Sequence, residues 1–272
     1  MTNKFKRISI LSLFLILISC QESKIDKQSN ENDGWKKVGQ VEKTIKNIDF
    51  TFPDRGFAFE NKKKLIEESF DAMKANSELI KLNEFNDTIF IRFLNSREDM
   101  FPLTGTTASG SAWPHINTLY AVSNENSKPP IKHELMHLIA MLEWDYPPSS
   151  TTWMNEGLGT FAENNCINWN VAEIYRYLLE TDRLIQMDSL TSDFYNQPEM
   201  IAYHQSAYIV EYLLANYSIE KFEKLWKSGF GKFEDIYGVS FDKVKINLEK
   251  ELKKRYPSAP KIDFERFNEG CE

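Results

Sequence analysis

The chain has 272 residues, 42% of them hydrophobic and 13% aromatic, which is enough for a substantial core and excludes a largely disordered polymer. Its net charge of −7, with no arginine-rich or lysine-rich face, argues against nucleic acid as a partner. Four histidines occur, His115, His133, His137 and His204, and two of them fall within one five-residue stretch.

In chain order, Lys4, Lys6 and Arg7 precede an apolar run from Ile8 to Ile18 that is too short to span a bilayer as a stable helix. The run ends Leu17-Ile18-Ser19-Cys20. That order resembles the lipobox of bacterial lipoproteins, in which the leader is cut before the cysteine and the cysteine is lipidated. The resemblance implies a signal peptide over residues 1–19 and a membrane anchor at Cys20. It implies a place in the bacterial cell envelope, with the outer membrane or cell surface favoured over the inner membrane and the sequence leaving membrane and leaflet open. The alternative is an ordinary secretory leader with an incidental cysteine, and either one exports the chain. Residues 20–40 are polar and aperiodic, and read as a flexible tether. Export leaves Cys166 and Cys271 in an oxidising setting. They either bridge, or Cys166 is a buried thiol and Cys271 belongs to a frayed tail; the sequence leaves both open.

Asn47 to Phe52 reads as a strand, stopped by Pro53-Asp54-Arg55-Gly56. The stretch that follows, to about Leu82, carries Ile66, Phe70 and Met73 at helical spacing, with Lys62, Lys63 and Lys64 on its wet side. Thr88 to Leu94 is apolar on both faces and reads as a central strand. Residues 105–111 have turn character, and Thr118 to Val122 reads as an edge strand. Pro129-Pro130 opens a helix that Ile131, Leu135, Leu138, Ile139 and Leu142 bury. After a loop at 145–150 the chain turns helical over Asn155–Asn165, Val171–Ile185, Glu199–Asn216, Ile219–Lys227 and Phe241–Arg255. Strands first and helices after predict an α+β body. An α/β part spans residues 41–146, a helical part 147–256 and a C-terminal tail 257–272, with the cleft between the two parts.

The helix opened by Pro130 reads His133-Glu134-Leu135-Met136-His137. Residues i and i+4 share a helix face about 6 Å apart along the axis, so both imidazoles can meet one zinc ion. Glu134 lies about 100° round the helix, beside the metal, where a general base for its water stands. A catalytic zinc needs a third protein ligand and an open fourth position. Glu156 offers that ligand after residues 138–155, a loop long enough to return a second helix to the first.

His-Glu-x-x-His, eighteen residues, then Asn155-Glu156-Gly157 resembles the gluzincin metallopeptidases. The nearest likeness is to their aminopeptidase-like branch and the bacterial peptidase-MA-like domains, and it runs from about residue 45 to 256. The branch reads Trp-x-Asn-Glu-Gly with a second glutamate seven residues after the ligand; here these are Trp153, Asn155, Glu156, Gly157 and Glu163. A tyrosine on a later helix, before an apolar run and Tyr-Leu, matches Tyr203-His-Gln-Ser206 followed by Tyr212-Leu213.

The resemblance implies a zincin-like fold, one zinc on His133, His137 and Glu156, and hydrolysis of peptide bonds in a peptide or protein substrate. In such enzymes water on the zinc attacks the carbonyl carbon, with Glu134 moving its proton and Tyr203 donating to the oxyanion. Glu163 and Asn155 are candidates for hydrogen bonds that orient the ligands. His204, next to Tyr203, reads as structural or exposed, and His115 as a surface or cleft-rim residue. Two departures are visible. Thermolysin-type enzymes carry an aspartate where Thr160 stands, and the amine-gripping Gly-x-Met-Glu-Asn of true aminopeptidases has no counterpart in Gly110-Ser-Ala-Trp-Pro-His. The alternatives are an inactive lipid-anchored zinc-binding or scaffold protein, or a zinc hydrolase of a non-peptide bond.

Overall fold

The structure, a computed structural model, describes residues 40–271. The leader, Cys20 and the tether up to residue 39 lie outside the described residues. Strand β1 (Gln40–Ile45) turns through Lys46, in the left-handed region at φ 55°, into the antiparallel β2 (Ile48–Pro53). Two helices, α1 (Phe57–Glu60) and α2 (Lys62–Leu79), lead to β3 (Ile89–Leu94), which lies parallel to β2. Helix α3 (Arg97–Thr104) follows, its N-terminus capped by Ser96 accepting from the Asp99 amide. Next come β4 (Gly110–Trp113), a 3-10 turn at Pro114–Ile116 and β5 (Thr118–Val122). The sheet order is β1-β2-β3-β5-β4, with β5 parallel to β3 and β4 antiparallel to β5. The molecule is therefore α+β, a mixed five-stranded sheet followed by a helical half.

The period-2 pattern of the strands explains the core. Ile48, Phe50, Phe52, Ile89, Ile91, Phe93, Leu119 and Ala121 face one side of the sheet. They pack on Leu65, Ile66 and Ala72 of α2 and on Ile131, Leu135 and Leu138 of α4 (Ile131–Trp144). The opposite face holds Leu94, Tyr120 and Val122 against Met100 of α3, which is why β3 is apolar on both sides. Each fully buried leucine or isoleucine contributes roughly 1.5–3 kcal/mol.

Helix α4 is clamped from two directions. Met136, Ile139, Ala140 and Trp144 join the helical core while Leu135 and Leu138 join the sheet core. The helical half comprises α5 (Thr152–Glu163), α6 (Val171–Glu180), α7 (Met187–Ser192), α8 (Glu199–Asn216), α9 (Ile219–Ser228), α10 (Phe233–Tyr237) and α11 (Phe241–Arg255). Helices α5 and α8 meet at Gly157, where an added Cβ would stand 2.8 Å from the Ser206 backbone. Only a residue without a side chain lets the two axes come this close. After α11 the chain returns through α12 (Phe264–Asn268), capped by Asp263, to a disulfide between Cys271 and Cys166.

Three readings of the sequence are corrected. The edge strand is β4, and Thr118–Val122 is an inner strand buried along its whole length. Of the stretch read as a turn, residues 105–109 are bends and irregular chain, but Gly110 and Ser111 open β4 where it packs over α4: a Cβ at Gly110 would fall 2.8 Å from Glu134 Oε1. Small residues leave room for the glutamate and depress strand propensity at the same time. The helix expected to reach Ile185 ends at Glu180, capped by Thr181. Helix α3 and strand β1 add two elements that the apolar pattern did not mark, both short and largely polar.

Candidate active site

Because α4 buries two stripes, the third stripe is what remains for His133, Glu134 and His137. It opens onto a cleft of about 1700 Å³ between the edge strand and helices α5 and α8. His133 Nε2 and His137 Nε2 lie 2.9 Å apart. From α5, Glu156 brings Oε2 to 3.3 Å from His137 Nε2 and 3.8 Å from His133 Nε2. These three side chains form a group that could hold a metal ion. A second group, Cys166, His204 and Cys271, has its two sulfurs already joined to each other.

Hydrogen bonds fix this arrangement from behind. His137 Nδ1–H donates to Asn155 Oδ1 at 2.9 Å, which leaves the Nε2 lone pair aimed at the cleft. Glu156 Oε1 accepts from the Tyr195 hydroxyl at 2.8 Å, so its two carboxylate oxygens have different partners. The Ala112 amide donates to the Glu134 carboxylate. In the β4–β5 register Ser109 accepts from the Val122 amide, so Gly110 and Ala112 turn their own backbone groups to the free edge. Glu134 is therefore held by the outward side of the edge strand.

The electrostatics follow from burial and from packing two carboxylates around two imidazoles. Burial alone would lower the His137 imidazolium, but Glu156, Glu134 and the hydrogen bond to Asn155 outweigh it and push it up to about 9. Burial raises Glu156, yet the two imidazoles hold it well below the usual carboxylate range. Burial lifts Glu134 above that range despite both histidines and the Ala112 amide. Burial and then Glu156 raise the Tyr203 phenol, which stays protonated, its ring 6.3 Å from that of His133 and nearly parallel to it.

The remaining expected residues fall as follows. Tyr203 lines the cleft from α8 and Asn155 bonds the His137 imidazole. Glu163 turns to Lys128 at 3.8 Å on the cleft wall, and the imidazole hydrogen bond expected of it is formed at His137 by Asn155. His204 is buried, with Nδ1 donating to the Met200 carbonyl and Nε2 3.6 Å from Cys271 Sγ. His115 is exposed, beside Trp113. Tyr208 and Tyr212 sit in the helical core. Tyr195 and Ala112 went unread: a lone aromatic in a turn and an alanine amide leave no pattern in a sequence.

Residues 100–241, just over half of the chain, match the model of the Peptidase MA superfamily, and the match takes in every residue of the site just described. Neither a curated protein nor a solved structure matches the chain. With a two-histidine helix, a glutamate from the next helix and a mixed sheet laid over them, the chain belongs to the Peptidase MA superfamily and carries a zincin-like metallopeptidase-type domain.

Proposed function

We propose that the chain is a zinc-dependent metallopeptidase of the gluzincin type, exported and anchored to the bacterial envelope through Cys20. The observation that carries the reading is the convergence of His133 Nε2, His137 Nε2 and Glu156 Oε2, separated by 2.9, 3.3 and 3.8 Å. Four ligands arranged tetrahedrally at about 2.0–2.2 Å from zinc stand about 3.3 Å from one another, so these donors fit. Three donors of this hardness leave one position for water, the pattern of a catalytic site.

When bound, zinc supplies a Lewis acid and lowers the pKa of a water towards about 7. Glu134, fixed by the Ala112 amide, takes a proton from the attacking water and passes it to the leaving amine. Its raised pKa suits a group that must both accept and return a proton. The protonated Tyr203 hydroxyl donates to the oxygen that gains charge; one such donor is typically worth about 10²–10³ in rate. Extended peptide backbone would pair with the outward groups of Gly110 and with the Ala112 carbonyl on β4, the Ala112 amide being held by Glu134.

The test is Glu134→Gln in the full chain, assayed for zinc content and for cleavage of a mixed peptide library. Zinc should remain bound and cleavage should fall by about 10²–10⁴. Cleavage that persists in the variant rejects the mechanism. Zinc binding without cleavage by the unmodified chain points to an inactive scaffold or to a hydrolase of another bond.

A further inference from the structure

We infer that Tyr195 is a positioning residue that holds Glu156 as a one-oxygen ligand and so keeps the fourth coordination position open. The inference rests on the metallopeptidase reading and deepens it. Glu156 stands at the junction of two demands. Its Oε2 faces the imidazole pair at 3.3 and 3.8 Å, while Oε1 accepts the Tyr195 hydroxyl at 2.8 Å. The last torsion of a glutamate is soft, so an unpartnered carboxylate turns freely and can offer both oxygens to one ion. The phenol removes that freedom. With Oε1 engaged, three protein atoms face the ion, and a fourth position is left for water.

The surroundings of Tyr195 show that its hydroxyl, and not its ring, accounts for its place. The residue is 70% exposed, among the most exposed large hydrophobic side chains described, so the core gains little from it. It is nevertheless held firmly. Phe194 next to it is buried, meets the Tyr195 ring edge-on at 5.5 Å and lies 5.3 Å from the Tyr203 ring. The turn itself is closed by Asn196 and Gln197 side chains donating to Asp193. One short turn thus ties the partner of the third ligand to the ring of the proposed oxyanion donor.

The experiment uses the full chain and Tyr195→Phe, each stripped of metal and reloaded with zinc or with cobalt(II). Zinc affinity is measured by chelator competition, ligand number by the visible absorption of the cobalt form, and integrity by thermal unfolding without metal. The variant should unfold with the unmodified chain yet bind zinc about 10–100-fold more weakly, the usual effect of losing a partner of a ligand. Its cobalt spectrum should weaken, because four-coordinate cobalt(II) absorbs more strongly than the five-coordinate ion that a two-oxygen glutamate would give. Tyr203→Phe is the control: it should lose cleavage while keeping zinc affinity and the cobalt spectrum. A Tyr195→Phe protein with unchanged affinity and spectrum overturns the role of Tyr195 alone. A lowered melting temperature with unchanged affinity also overturns it, assigning the residue to packing. An unmodified chain that binds neither ion overturns the metallopeptidase reading together with this inference.

Discussion

At His137 a proton and the proposed metal ion would compete for one nitrogen. The imidazole is buried, which disfavours its charge, but Glu156 and Glu134 push it up to about 9. A histidine pKa raised above its unfolded value stabilises the folded, metal-free protein below about pH 6.5, and that contribution disappears as pH rises through about 9. The metal must displace the same proton. Zinc affinity should therefore climb about tenfold per pH unit from near 6.5 up to about 9, where an ordinary histidine would level off near its unperturbed pKa. Chelator competition across that range decides it, and a plateau below pH 7 contradicts the assigned electrostatics. Residue chemistry of this kind was half legible. Histidines four apart on a helix, and a glutamate in Asn-Glu-Gly, announce themselves because spacing along one helix fixes direction. The partner of that glutamate does not, since Tyr195 arrives from a turn placed by Phe194 packing inward, an event with no period to read.

Among the elements, the α5–α8 crossing carries the most consequence for the site, since one helix brings Glu156 and the other Tyr203. The contact at Gly157 is backbone against backbone, and backbone does not step aside as a flexible side chain would. Gly157→Ala gains up to about 1 kcal/mol of helix propensity but should lose about 1–3 kcal/mol by forcing the helices apart. The net result should be a melting temperature lower by a few degrees. Cleavage should fall further than stability does, since displacing a donor by about 1 Å can cost about 10²-fold in rate. Thermal unfolding and kcat measured together separate the two effects. Element types were readable wherever a pattern ran long: α6, α9 and α11 follow from 3.6-residue periodicity, α8 from a long stretch that is apolar nearly all round, and β3 from its apolar run. Strand β4 was not readable, because its glycine, serine and alanine were shaped by the glutamate beneath them.

For the molecule as a whole, the chemistry and the cleft walls come from different parts of the chain. Every proposed ligand and proton donor lies within residues 100–241, yet the cleft is also lined by Asn61 between α1 and α2, by Lys64 of α2 and by Arg266 and Gly270 near the disulfide. The Cys166–Cys271 bridge closes a loop spanning 105 positions and seats the tail against His204, the neighbour of Tyr203. In the loop-entropy account such a closure is worth about 4–5 kcal/mol. Cys271→Ser should therefore lower the melting temperature by on the order of 10 °C. Zinc affinity should hold, because the bridge touches none of the three ligands. Melting curves and chelator competition on the variant check both parts, and a parallel fall in affinity would mean that the tail braces the ligand set.

The hold of the Ala112 amide on Glu134 has one more effect, on how copies of the chain meet. An exposed sheet edge is a template on which a second copy can lay its own strand, and long flat edges drive aggregation. Strand β4 is four residues long and gives way at once to Pro114, which has no amide to offer. Of the two residues that face outward, Ala112 already spends its amide on Glu134. A neighbouring copy finds too short a ladder to grow a fibril, while a peptide lying in the cleft gains contacts beyond the edge. The carboxylate proposed to move protons thus also occupies part of the β4 edge of the sheet.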